Sequence, residues 1–179
     1  MITLRIILFV LLAALGGHLT RGQGTKPLTV RDYYLLLPDK YFEAEQEQRV
    51  KWMLDPKRGA IVDVKNGYLL APGDGAQMSI IVCLFKKHDG TYVIGVDAIN
   101  WEGAYYSRLN FYRYDNGNLI DVTKSVVRVA LPEERLYELP RYGRTIQVAN
   151  QKRRQLYDLV WNGRRFLIKR RGQSSMLSS

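Results

Sequence analysis

The sequence predicts an α+β fold that is mainly β: an antiparallel sheet built from about four hairpins, with short N-terminal helices packed to one side. Two observations carry this. Four dipeptides, Asn66-Gly67, Asp89-Gly90, Asn116-Gly117 and Asn162-Gly163, are each flanked by apolar or aromatic residues. Both residues of such a pair tolerate the positive φ that a tight hairpin turn needs. Helix signals, by contrast, are confined largely to the stretch before residue 56.

Taken in chain order, the first segment reads as an address rather than as structure. Arg5 gives a positive start, residues 6–15 form an unbroken apolar run, and small residues lead into a polar stretch. About ten apolar residues are too few to span a bilayer as a helix, which needs roughly twenty. Residues 1–22 are therefore expected to be a cleavable signal peptide, cut between residues 16 and 24. Residues 25–171 form a single β-rich domain, and residues 172–179 a frayed tail.

Thr29, with Asp32 three residues on, predicts a capped helix that Pro38 limits to about two turns. Residues 45–54 place Val50, Met53 and Leu54 on one stripe of a second helix, closed by Pro56. The Asn66-Gly67 and Asn116-Gly117 hairpins draw on residues 60–71 and 108–123. A two-residue turn at Asp89-Gly90 pairs Phe85 with Ile94, Cys83 with Val96 and Ile81 with Ala98. Both faces of that hairpin are apolar, which places it in the centre of the fold. A turn at residues 132–135 and a strand at 145–149 follow. In the last hairpin, Tyr157, Leu159, Trp161, Phe166 and Ile168 share one face, while Asp158, Val160, Arg165, Leu167, Lys169 and Arg171 share the other, giving a half-buried hairpin with a cationic outer side.

Charge and rare residues narrow the function. The chain has a net charge of +10, and removal of the first 22 residues takes away only Arg5 and Arg21. Cys83 is the one cysteine, so it has no partner within the chain, and its apolar surroundings predict burial. Seven asparagines follow the leader and none lies in an Asn-x-Ser/Thr sequon, which favours a bacterial envelope or secreted setting. His88 is the one histidine beyond the leader, so Ser-His-Asp, Cys-His and multi-histidine metal arrangements are excluded within one chain. No Gly-x-Ser-x-Gly elbow, Walker loop or dinucleotide fingerprint is present. No cofactor is expected.

The segments from Asp32 to Phe42, from Val62 to Tyr68 and from Tyr157 to Phe166 together resemble exported bacterial proteins of unknown function. That resemblance spans most of the mature chain. It implies a bacterial, exported, β-rich protein and brings no activity with it.

Three groups of residues are candidates for a site. Asp115, Asn116, Asn118 and Asp121 put oxygen ligands close together but miss the calcium-loop spacing, and they read as a solvated hairpin turn. Asp97, Trp101, Glu102, Tyr105 and Tyr106 form a candidate ligand loop, with an aromatic and acidic character suited to a small molecule or glycan. The third group is the basic C-terminal stretch, where ten cations between Arg141 and Arg171 face the single acid Asp158. There Arg153, Arg154, Arg165, Lys169 and Arg171 are the expected anion- or partner-binding residues, since a one-sided field gathers polyanions. Outside a cytoplasm those are envelope lipids, wall polymers or an acidic protein rather than nucleic acid. The same cations also fit a solubilising surface that blocks unwanted edge pairing. The function expected is thus an exported, non-catalytic binding or scaffold domain, with a small-molecule or glycan-binding domain around Trp101 as the alternative.

Overall fold

The computed structural model describes residues 27–42, 45–100 and 106–170. The expected leader, the tail, Trp101, Glu102, Tyr105 and Arg171 lie outside them. Ten strands form two antiparallel meanders. The first sheet runs β1 (Ile61–Asp63), β2 (Tyr68–Ala71), β3 (Ser79–Lys86), β4 (Tyr92–Asn100), β5 (Tyr106–Asp115) and β6 (Asn118–Asp121) in spatial as well as chain order. The second runs β7 (Leu136–Glu138), β8 (Thr145–Ala149), β9 (Gln155–Trp161) and β10 (Phe166–Lys169). The helices are short: α1 (Val30–Leu35), α2 (Gln46–Gln48) and α3 (Thr123–Val126). The mainly β class holds, with its strands divided between two sheets. No helix among the described residues is long and apolar enough to cross a membrane.

The first sheet is a middle layer because its sequence gives it no polar face. Residues 93–99 of β4 are all buried. On one side Leu69, Ile80, Val82, Ile94, Val96 and Tyr112 pack under Val30, Tyr34, Leu37, Tyr41 and Met53 of the helical segment. On the other, Cys83, Phe85, Val93, Leu109 and Phe111 pack against Ile146, Val148, Leu159, Trp161 and Phe166 of the second sheet. The order of layers is helices, six-stranded sheet, four-stranded sheet.

The cap of α1 forms as the sequence predicts. Thr29 N and Oγ1 both donate to Asp32 Oδ2 at 2.7 Å, and Asp32 N donates back to Thr29 Oγ1 at 3.4 Å. The second helical segment differs. After α2 it widens into a π-helical turn, Arg49–Met53, and Arg49 and Met53 are its buried residues rather than the Val50, Met53 and Leu54 stripe. The cause is Arg49, whose guanidinium lies 3.8 Å from the centre of the Phe42 ring and donates to Asp39 at 2.7 Å. A cation held on an aromatic face can enter a core that an unpaired one cannot.

All four glycine dipeptides close hairpins, but only Asn116-Gly117 makes the two-residue turn, with φ of 47° and 91°. The loop at Asp89-Gly90 has five residues between the paired Lys86 and Tyr92, so Leu84 pairs with Ile94, Val82 with Val96 and Phe85 with Val93. This is one residue away from the register expected for a two-residue turn. The slip was invisible in the pattern because both faces are apolar, and alternation fixes register only where one face is polar. At Asn162-Gly163 the loop has four residues, and Trp161 pairs with Phe166. Asn162 Oδ1 accepts from the N–H of Arg164 and of Arg165 at 3.0 and 2.9 Å, which lengthens the turn by two residues and leaves the face assignments intact.

The two ends of the layer between the sheets are built differently. At one end Phe85, Phe111, Trp161 and Phe166 form a knot of rings with centroids 4.7 to 6.2 Å apart. Gly95 makes room for it, since a Cβ there would lie 2.9 Å from Phe85 and 3.2 Å from Phe111. Trp161 Nε1 donates to the Lys86 carbonyl at 2.8 Å, tying the second sheet to the first. Exposed His88 packs against Gly163 at the same end, where any side chain would collide with its ring. Midway along, the Cys83 thiol donates to the Pro140 carbonyl at 3.1 Å, and burial pushes its pKa up to about 12.

Candidate functional site

The opposite end of the layer does not close. A cleft of about 460 Å³ lies between the sheets, lined by Tyr68, Ile81 and Ile99 from the first sheet, by residues 136–139 around β7, and by Gln151 and Arg153 of the β8–β9 loop. Clefts of this size accommodate small ligands. Its walls are made by strand alternation. Ile81 and Ile99 stand on the face of the first sheet that meets the second, as do Cys83 and Phe85, while Tyr137 stands on the inward face of β7 beside Val148 and Tyr157. Glu138, the next residue, stands on the outward face, opposite Gln147.

Behind this wall sits Asp97. It pairs with Ile81 on one side and Leu109 on the other, and it is wholly inaccessible. Its Oδ1 accepts from the Ser107 hydroxyl at 2.5 Å, and its Oδ2 has no partner. Burial pushes the carboxyl up to about 7, and the Ser107 bond acts the other way. The Ser107 N–H donates to the Glu133 carbonyl at 2.8 Å, and the Tyr137 hydroxyl to the Pro132 carbonyl at 2.8 Å. The same turn that covers the acid thus anchors the cleft's tyrosine.

The mouth is cationic. Lys152, Arg153 and Arg154 are consecutive and exposed. Arg153 adopts a left-handed conformation with φ of 59°, one of two non-glycine residues to do so among the described residues. Its N–H donates to the Asn150 carbonyl at 2.8 Å, and Arg154 N donates to Asn150 Oδ1 at 2.9 Å. A non-glycine residue held there costs about 1 kcal/mol or more.

Of the candidate ligand loop, Asp97 and Tyr106 lie among the described residues, and Trp101, Glu102 and Tyr105 lie outside them. Asp97 and Ser107 occupy the inter-sheet face, whereas Tyr106 pairs with Asn100 on the helical face, where its hydroxyl meets Met78 Sδ at 3.5 Å. Asp97 and Tyr106 therefore stand on opposite sides of the sheet. The basic residues are not gathered into one field either. Arg153 and Arg154 precede β9 and Arg165 follows it, so the seven-residue strand, about 20 Å long, lies between them. Lys169 belongs to an outer row of Glu138, Gln147, Asp158 and Lys169, so the side expected to be cationic is mixed. Asp115 and Asp121 are engaged locally: Arg113 pairs with Asp115 at 2.8 Å, and Thr123 N donates to Asp121 at 2.8 Å.

What sequence reasoning missed is the cleft itself, since its lining comes from five distant segments. One signal was present: Asp97 is a lone acid inside the apolar run 93–99. No family model, curated protein or solved structure matches the chain.

Proposed function

We propose that this chain is an exported, non-catalytic binding domain that takes its ligand in the cleft between its sheets. The observation that carries the reading is that Arg153, a member of the basic C-terminal stretch, lines the cleft together with apolar side chains from both sheets. Support for a binding rather than a catalytic role comes from how the polar groups nearest the cleft are used. The Tyr137 hydroxyl is engaged with a backbone carbonyl, and Asp97 is sealed behind the wall. His88 is spent at the far end against Gly163.

The experiment is a fluorescence titration with 1-anilinonaphthalene-8-sulfonate, which is apolar in body and anionic at one end. Saturable binding is expected in the wild type, and its loss in Ile81→Phe, which fills the cleft from a half-buried wall position. Undiminished binding in that variant, with its fold intact, sinks the reading.

A second reading has its own support. Arg164 and Arg165 precede the edge strand β10, and Lys169 and Arg170 end it, all of them at least partly exposed. Such an edge would dock an anionic membrane, an envelope polymer or an acidic protein. Binding to anionic vesicles should then fall steeply with salt. Unchanged binding after Arg165 and Lys169 are both made Ser would remove this reading.

A further inference from the structure

We propose that the ligand of the cleft is a single-chain anionic amphiphile, its apolar body between the sheets and its acidic head group at Arg153. The inference rests on the cleft being the binding site and goes on to name the chemistry that the site selects.

The depth of the cleft is apolar. Ile81, Ile99, Leu136 and Leu139 supply hydrocarbon from both sheets. Of the two tyrosines, Tyr137 has its hydroxyl committed to the Pro132 carbonyl. A strongly polar ligand would lose its hydration on entering and recover few hydrogen bonds, which is unfavourable. A hydrocarbon body gains by the same transfer.

The mouth selects charge. Lys152, Arg153 and Arg154 form an unbroken cationic run on one short loop, and Arg153 reaches the cleft itself. The acids nearby do not cancel it. Glu138 contributes one carboxylate to the lining, set against three cations on the loop, and Asp97 is enclosed beside Ile81 with its proton held into the neutral range. Arg135 and Glu134 of the covering turn lie within electrostatic reach of Tyr137 and oppose each other there. A cationic head group would meet repulsion, and a neutral one would leave the loop unused. The left-handed backbone at Arg153 adds a second argument. Glycine or asparagine would occupy that position more easily, yet the residue present is the one whose planar guanidinium pairs two donors with a carboxylate or phosphate.

Three ten-carbon probes with different heads provide the test: decanoate, decanol and decyltrimethylammonium, titrated calorimetrically into wild type, Arg153→Gly and Ile81→Phe. Glycine suits a positive φ, so Arg153→Gly removes the charge without straining the loop, and a urea midpoint at or above that of the wild type verifies the fold. Decanoate is expected to bind at least tenfold more tightly than decanol, and decyltrimethylammonium not at all. Arg153→Gly should reduce decanoate to the level of decanol and leave decanol unchanged, while Ile81→Phe should abolish both. Equal binding of decanoate and decanol, or decanoate binding untouched by Arg153→Gly, overturns the head-group assignment and leaves the cleft as a site. Affinities that survive Ile81→Phe, or no binding of any probe, overturn the site and the ligand class together.

Discussion

The two ends of the layer between the sheets are made of the same kinds of strand and behave as opposites. At the Trp161 end, four aromatic rings interlock, a glycine is cut away to admit them, and an indole N–H closes the seam. At the Tyr137 end, aliphatic side chains face a space they do not fill, a carboxyl group lies buried with one oxygen unpartnered, and the nearest loop holds an arginine in a costly conformation. One end is organised for cohesion. The other carries two features that burial and backbone energetics both penalise, in the pattern expected where a protein gives up stability for a site.

The comparison breaks first if the aromatic end does not dominate stability. Phe111→Ala removes a fully buried ring and should cost about 3–5 kcal/mol, read as a fall in the urea midpoint at unchanged slope. A loss under about 1 kcal/mol would mean that the knot is not what joins the sheets.

The Asp97 end should show its cost through pH. The folded state holds the Asp97 proton up to about pH 7, whereas the unfolded chain releases it near 3.8. The native state therefore binds more protons across that window, and stability falls as pH rises from about 4 to 7, with the penalty complete above it. Asp97→Asn removes this dependence. It should raise stability by roughly 4 kcal/mol at pH 8 and bring no gain at pH 4, measured by urea unfolding at both values. A parallel offset at the two pH values would show that the folded state holds the Asp97 proton no more tightly than the unfolded chain does.

A smaller effect isolates the hydroxyl. Ser107→Ala deprives Asp97 of its hydrogen bond and should cost about 1–2 kcal/mol at pH 8 and less at pH 4, as bonds to charged groups exceed those to neutral ones. The smallest effect has the opposite sign. Arg153→Gly should leave stability unchanged or raise it by up to about 1 kcal/mol, since it releases backbone strain against a modest gain in unfolded-state freedom. A clear loss would show that the Arg153 side chain contributes to the fold.

Much of the cohesive half was legible in the sequence. The Asn116-Gly117 turn, the Thr29 cap, the strand at 145–149 and the central position of the Asp89-Gly90 hairpin all follow from local chemistry. The Asp89-Gly90 register did not, because a strand buried on both faces gives alternation nothing to read. Nor did Arg49, whose burial depends on Phe42 and Asp39 seven and ten residues away. The cleft was the least legible feature. Arg153 announced itself as one cation among ten, but its position at a mouth is set by Tyr68, Ile81 and Tyr137, and no local pattern records that company.

Cys83 gives the layer a clock. Its thiol faces the Pro140 carbonyl, and its thiolate is suppressed well above neutral pH. A disulfide reagent can therefore reach it only during excursions in which the second sheet lifts away from the first. The labelling rate under native conditions then counts those excursions directly. In an oxidising compartment, the same shielding keeps two copies of the chain from being cross-linked through their single sulfur unless both have opened.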